Sequence, residues 1–126
     1  MDYALDLSFN GTYLHAVVTG ANTLQAMDRY FTDIRNALEQ QRCKSVLIEK
    51  KLEGPGLDTF DVFEVIRSHA RYARDHGLRI AYVDLNRDQY RTTVAFGENL
   101  ANILGVNAKV FSDADSAALW LTGISG

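Results

Sequence analysis

The sequence predicts one α/β domain on a mixed, mostly parallel sheet, with the element order β-β-α-β-α-β-α-β-α. Two extended runs joined by a turn signal open the chain, and the later apolar runs are short, as in strands covered on both faces. Stripes with helical spacing separate those later runs. Helices between successive strands imply right-handed crossovers and parallel pairing. The 126 residues are expected to form a single domain, 1–126.

The first two predicted strands form an antiparallel hairpin. Large apolar residues at 3, 5 and 7 alternate with small or acidic residues at 2, 4 and 6, residues 12–19 form a second extended run, and Asn10-Gly11 lies between them. Asn-Gly favours a tight turn because both residues tolerate a positive φ. The half-apolar first strand is expected at a sheet edge, where it can pair with a second copy of the chain.

A change in the spacing of the apolar residues predicts the first helix and the strand after it. Asn22 and Gln25 resemble a capping box, and apolar residues then recur every three or four positions over 23–41. Residues 45–49 are apolar on consecutive positions, as expected of a central strand. The apolar stripe of the helix contains Leu24, Met27, Phe31, Ile34 and Leu38.

Three further helices alternate with strands predicted over 78–84 and 108–111. Gly77 and Gly105 end the second and third helices, in the position that favours a left-handed residue. Ser112 is the predicted cap of the last helix. The predicted buried faces contain Val62, Phe63, Ile66, Ala70 and Ala73; then Val94, Leu100, Ile103 and Leu104, in a helix opened by Asn86 and Gln89; and finally Ala117, Trp120 and Leu121.

Composition narrows the classes of partner and compartment. The formal net charge of −3 gives no excess of positive charge for non-specific phosphate contacts, so nucleic acid is not an expected partner. The apolar stretch 14–18 is too short to span a bilayer, and residues 1–20 lack the pattern of a signal peptide. A single cysteine, Cys43, suits a reducing compartment. We therefore expect a cytoplasmic protein without stable membrane insertion.

The connection 53–59 is the leading candidate for a working surface. It follows the central strand, at the sheet edge where ligands and partners of open α/β sheets meet the loops. Asp58 and Asp61 suit the positive end of a helix dipole but repel an anion, which argues against a phosphate-binding loop. Their spacing matches no calcium loop. The sequence predicts an acidic helix start where Glu53, Asp58, Thr59 and Asp61 dock a partner.

No catalytic constellation, metal site or cofactor site is expected. The histidines lack metal-binding spacing, and Cys43 has no sequence-adjacent base to activate it. An enzyme would need side chains from neighbouring strand ends to converge. The candidates for such a strand-end site are Glu49, Asp84, Asn86 and Arg87.

A small apolar ligand between the sheet and the helices is the alternative to a protein partner. Aromatic side chains could line such a pocket, although at helical spacing they more often fill an ordinary core. The aromatic residues in question are Phe31, Phe63, Phe96 and Phe111.

The passage 46–66 and the closing run VFSDADSAALWL (110–121), together with the order of elements, resemble the STAS-like family. This family includes the SpoIIAA-like anti-sigma factor antagonists and related Sec14-like bacterial domains. The resemblance extends from the hairpin to Leu121. It implies a SpoIIAA-like fold and a non-enzymatic regulatory or protein-interaction function.

The resemblance also implies a role for Thr59. In the antagonist branch, an Asp-Ser pair opens the helix after the central strand, and a partner kinase phosphorylates the serine to release the bound regulator. Asp58-Thr59 lies at the matching place, so Thr59 would be the phospho-acceptor, and the added charge would switch docking off. Phe60-Asp61 replaces the small residues that follow in that branch. This departure and the closing Trp120-Leu121 together favour the less characterised branch, with a protein partner or a Sec14-like lipid or small apolar ligand.

Overall fold

The structure, a computed structural model, describes residues 3–54, 57–85 and 91–123. Within these residues the elements follow the predicted order. The strands are β1 (Tyr3–Phe9), β2 (Leu14–Ala21), β3 (Ser45–Glu53), β4 (Arg79–Asp84) and β5 (Asn107–Phe111). The helices are α1 (Leu24–Gln41), α2 (Thr59–Asp75), α3 (Arg91–Ile103) and α4 (Ala114–Thr122).

These strands form one sheet in the order β1-β2-β3-β4-β5. β1 runs antiparallel to β2, and the other neighbours are parallel. The predicted mixed sheet, the hairpin and the central position of the third strand are therefore confirmed. Gly11 has φ +91°, the positive value that a tight turn beside Asn10 uses.

The strand order decides which face each helix covers. Each crossover steps to the next strand in the same direction, so right-handed crossovers place α1, α2 and α3 on one face of the sheet, the three-helix face. α4 packs on the opposite face, the α4 face, against β3, β4 and β5. The α4-face core consists of Leu47, Ala81 and Val83 from the sheet with Ala117 and Leu121 from the helix.

Two helices begin one residue later than predicted. Thr23, not Asn22, caps α1, and its side chain accepts a hydrogen bond from the N–H three residues on. Asp113, not Ser112, caps α4 in the same way. In each case the neighbouring residue has a side chain of similar capping chemistry, and backbone geometry selects between the two.

β3 extends four residues beyond the predicted end at Glu49. Its last part pairs with the end of β2. Lys50 and Leu52 are buried there, whereas Lys51 and Glu53 are exposed. The side chains of 50–53 therefore alternate between inward and outward directions, as in an ordinary strand, although most of them are charged.

The face that α3 buries differs from the prediction. Its buried residues are Thr93, Gly97 and Ala101, whereas Ile103 is 80% exposed. Small residues suit this face because α3 approaches α2 closely: a Cβ atom at Gly97 would lie 3.1 Å from the side chain of Ile66. The predicted start at Asn86 and Gln89 lies outside the described residues.

The buried faces of α2 and α4 follow the prediction more closely. Val62, Ala70 and Ala73 are buried in α2, and Val65 joins them while Phe63 is only half-buried. The C-terminal end of α2 is as predicted, with Gly77 at φ +63°. The predicted aromatic residue of α4, Trp120, is half-buried beside Phe111.

Candidate functional site

The start of α2 forms an exposed surface at the carboxyl end of the central strand. Leu57 is buried and anchors the chain as it enters the helix. The Asp58 side chain caps the helix by accepting a hydrogen bond of 2.9 Å from the Asp61 N–H. Thr59 is the first residue of α2 and is exposed. The predicted acidic helix start therefore has a defined backbone geometry.

Phe60 is the residue of this surface that the sequence analysis missed. Its side chain follows Thr59 and is 68% exposed. Asp61 next to it is half-buried and lies in the first turn of the helix. Most of this aromatic side chain is therefore open to solvent and available to a partner. We call Glu53, Asp58, Thr59, Phe60 and Asp61 the α2 entrance.

Glu53 contributes the strand side of the α2 entrance. It is the last residue of β3 and is exposed, and its carbonyl oxygen accepts a 2.8 Å hydrogen bond from the Asn22 N–H. Gly54 follows with φ +103°, which lets the chain leave the sheet sharply. Residues 55 and 56, between Gly54 and Leu57, lie outside the described residues.

A buried ion pair lies where the other strand-end candidate was expected. Asp84 is the last residue of β4, and its Oδ2 is 3.5 Å from the Lys50 Nζ of the adjacent strand β3. The side chains are 3% exposed for Lys50 and 5% for Asp84. Asp84, one of the predicted strand-end residues, therefore belongs to a buried ion pair on the three-helix face. Asn86 and Arg87 lie outside the described residues.

Two tyrosines extend this buried cluster. The Tyr82 hydroxyl is 3.5 Å from the Asp84 Oδ2, and Tyr30 of α1 is fully buried nearby. Burial, followed by the charge of Asp84, raises the pKa of Tyr30. Burial also raises the pKa of Tyr82, with Tyr30 and Asp84 adding to the effect. Burial lowers the pKa of Lys50, while the carboxylate of Asp84 opposes that shift.

Glu49 lies on the other face of the sheet. Its Oε1 is 2.5 Å from His15 Nε2, and Glu49 precedes Lys50 in β3, so the two side chains point to opposite faces. Glu49 and Asp84 therefore diverge. The convergent site that an enzyme would need from these two carboxylates is not formed.

A cavity of about 140 Å³ lies between the three-helix face and the helices. Most of its lining is aliphatic, from α1, α2, α3 and the inward side chains of β3, β4 and β5. Of the four aromatic residues expected to line a ligand pocket, Phe31 does so and Phe63, Phe96 and Phe111 do not. Phe111 packs instead with Trp120 on the α4 face.

The described part of the chain holds no group of three or more residues that could ligate a metal ion. Cys43 is half-buried, and its thiol is 3.2 Å from the Ser45 carbonyl oxygen. Among the described helices, none has the length and hydropathy needed to span a bilayer.

Comparison with solved structures identifies the fold. A serine-to-glutamate variant of RsbS from Moorella thermoacetica matches with a TM-score of 0.60 at 15% identity, covering 96% of this chain and 97% of that one. An uncharacterised protein of the DUF3478 family with a SpoIIAA-like fold, from Shewanella loihica PV-4, matches with a TM-score of 0.54 at 18% identity. That match covers 94% of this chain and 93% of the other. No protein-family model and no curated protein matches the sequence.

The domain therefore has the SpoIIAA-like fold that the sequence resemblance implied. Both matches cover nearly the whole chain. At these identities they establish the fold, and the function has to be argued from the site.

Replacing Lys50 with Met should destabilise the domain by about 3–5 kcal/mol, because it removes the ammonium group that lies 3.5 Å from the buried Asp84 carboxylate. The double variant Lys50→Met/Asp84→Asn removes both charges and should recover most of this loss. Urea denaturation of the three proteins measures the difference. A single variant as stable as the unmodified protein would show that the pair is not buried as described.

Proposed function

We propose that this SpoIIAA-like domain is a non-enzymatic regulatory module that binds a protein partner at the α2 entrance. The observation that carries the proposal is Phe60, a large aromatic side chain 68% exposed at the start of a capped helix. Aromatic side chains of this kind are common binding hot spots when they enter a pocket on a partner. We infer that Phe60 is the central anchor.

The charges around Phe60 indicate the chemistry of the partner. Asp58 and Asp61 flank it, and Glu53 is exposed at the end of β3. An acidic rim around an aromatic anchor favours a partner surface with an apolar pocket bordered by Lys or Arg. Such charges mainly raise the association rate and exclude acidic competitors.

A non-enzymatic role agrees with how the charged side chains of the sheet are paired. Lys50 pairs with Asp84 on the three-helix face, and His15 pairs with Glu49 on the α4 face. Each pair is held within the sheet, and the two pairs lie on opposite faces. We propose that the module works in the cytoplasm, with a regulator or a kinase as its partner.

Thr59 is the proposed switch. Its hydroxyl lies in the first turn of α2, on an exposed residue between Asp58 and Phe60. A phosphate there would add up to two negative charges beside the aromatic anchor. A partner pocket that desolvates Phe60 would then have to desolvate the phosphate as well, so phosphorylation would weaken docking.

Self-association is a further part of the proposal. β1 is an edge strand, and it presents Leu7 and Phe9 with exposed fractions of 37% and 40%. Exposed apolar residues on a strand edge favour pairing with a second copy. Pairing through β1 would use a different element from those that form the α2 entrance, which are the end of β3 and the start of α2.

A second candidate function is the binding of a small apolar ligand, and the cavity on the three-helix face favours it. The cavity volume of about 140 Å³ is close to that of an engineered cavity known to bind benzene, roughly 150 Å³. Pockets for drug-sized ligands are larger, roughly 300–1,000 Å³. The candidate ligand is therefore the size of one aromatic ring, smaller than a membrane lipid.

Replacing Phe60 with Ala should reduce capture of the partner from an extract of the source cell by at least about tenfold, since hot-spot truncation costs roughly 2 kcal/mol or more. Ile103→Ala is the matched control, because Ile103 is also exposed and apolar but lies at the end of α3. Quantitative mass spectrometry compares proteins retained by the three forms. A protein retained equally by all three is not bound through the α2 entrance.

Replacing Thr59 with Glu should weaken the same capture, because the carboxylate partly reproduces the charge of a phosphate. Thr59→Val, which keeps the size and adds no charge, should leave capture nearly unchanged. Incubation with extract and ATP, followed by peptide mass spectrometry, should place a phosphate on Thr59. Capture unaffected by Thr59→Glu would contradict the switch.

A further inference from the structure

The β5 edge of the sheet is capped by side chains of α3. The Glu98 carboxylate accepts a 2.6 Å hydrogen bond from the Val110 N–H. The Asn102 amide donates one of 3.3 Å to the Ala108 carbonyl oxygen, and the Ala108 N–H donates to the Val106 carbonyl oxygen. Because these groups bond to α3 or to Val106 and not to β4, they belong to the outer edge of β5. A further strand would find few free backbone groups there.

The opposite edge, β1, has no such cap among the described residues. Outside its ladder with β2, β1 is tied to α1 by the Tyr3 hydroxyl, which donates a 2.6 Å hydrogen bond to the Asp33 carboxylate. No side chain or loop in the described part of the chain bonds to the outer backbone groups of β1. The strand is seven residues long and lacks proline and lysine, which commonly protect an edge. One edge of the sheet is therefore closed and the other is open.

The pleat sorts the side chains of β1 into an apolar and a polar set. Leu7 lies opposite Ala16 of β2, a buried residue of the three-helix face. Successive side chains of a strand alternate between faces, so Leu7 is on the three-helix face and Asp6 is on the α4 face. The first set is Tyr3, Leu5, Leu7 and Phe9, and the second is Ala4, Asp6 and Ser8.

Two-fold symmetry limits how two β1 strands can pair. Antiparallel pairing keeps the apolar faces of both copies on one side only when it is centred on a residue, since a slip of one position exchanges the faces. Centring on Asp6 would oppose that carboxylate with its own copy, and like charges directly opposite each other destabilise a sheet. Centring on Leu5 would leave Phe9, which is 40% exposed, beyond the end of the partner strand.

Centring on Leu7 avoids both faults. Leu7 then opposes its own copy, and Leu5 opposes Phe9 of the second copy. Leu7 and Phe9 are the exposed large apolar residues of β1, at 37% and 40%, and both become covered. On the other face Asp6 opposes Ser8, whose hydroxyl can donate a hydrogen bond to the carboxylate. The strand is therefore complementary to itself on both of its faces.

We propose that two copies of this chain pair through β1, antiparallel and centred on Leu7, into one continuous sheet, and that the caps of Glu98 and Asn102 on β5 stop the sheet from growing further. The inference rests on the proposed self-association and specifies its geometry. Because each copy has one open edge, the contact is isologous and closes at two copies.

A cysteine scan of the whole protein reads the register directly. In a Cys43→Ser background, which removes the native thiol, cysteine is placed singly at position 5, 6 or 7. Leu7→Cys should form an intermolecular disulfide under mild oxidation, because directly opposed Cα atoms lie about 4.5–5.5 Å apart, within the span of a disulfide. Asp6→Cys and Leu5→Cys should not crosslink, because these positions would be roughly 7–8 Å or more from their own copies.

Sedimentation of a variant at the open edge tests β1 as the contact. Leu7→Lys places two like charges opposite each other and should raise the dissociation constant of the dimer by at least about tenfold. Leu119→Lys is the matched control, because Leu119 is also apolar and exposed but lies on α4. This control should leave the dissociation constant unchanged.

Sedimentation of a variant at the capped edge tests the closure. Glu98→Ala/Asn102→Ala frees the Val110 N–H and the Ala108 carbonyl oxygen and should give assemblies larger than a dimer at the same protein concentration. Asn99→Ala, at an exposed position of the same helix, should remain a dimer.

Each result decides a different point. Crosslinking at position 5 or 6 in place of 7 would overturn the register while supporting pairing through β1. A dimer formed equally well by Leu7→Lys would overturn β1 as the contact, and an unchanged dimer in Glu98→Ala/Asn102→Ala would overturn the capping role. A monomer throughout the micromolar range would overturn both the inference and the self-association on which it rests, without bearing on docking at the α2 entrance.

Discussion

Burial of the central strand β3 on both of its faces is the constraint on which the rest of the structure depends. Because the strands follow one another in the order β1-β2-β3-β4-β5, right-handed crossovers place α1, α2 and α3 on one face. The opposite face of β3 is covered by α4, which follows the last crossover. Leu47 of β3 packs with Ala117 and Leu121 for this reason.

The same constraint explains both the buried ion pair and the α2 entrance. Lys50 points inward because the alternation of β3 leaves it no other direction, and Asp84, its register neighbour on β4, compensates the charge. The chain then leaves the sheet at Glu53 and Gly54 and begins α2 with its cap, Asp58, at the carboxyl edge. The end of β3 thus leads into the helix that carries Phe60, a side chain that is 68% exposed.

Local signals in the sequence were sufficient to predict the order of the elements and the acidic first turn of α2. Asn10-Gly11 predicted the hairpin, and the apolar run 45–49 predicted a central strand. Asp58 and Asp61 predicted an acidic first turn. These features depend on neighbouring residues only, and the structure retains them.

Features that depend on distant residues could not be predicted. The strand was predicted to end at Glu49, before Lys50, because lysine is rarely buried without an oppositely charged partner. That partner, Asp84, lies on the adjacent strand and is distant in the sequence. The small-residue face of α3 depends on how closely α2 approaches Gly97. The exposure of Phe60, 68%, has no local sequence signal, because the burial of a side chain depends on the elements that pack around it.

Site-specific photo-crosslinking tests the central claim, that the α2 entrance docks a protein, most directly. A photoreactive phenylalanine analogue in place of Phe60, activated in the source cell, should crosslink one partner in high yield. The same analogue in place of Ile103, which is also exposed, should not crosslink it. Failure of the first analogue to crosslink any protein, or equal crosslinking from both positions, would contradict the account.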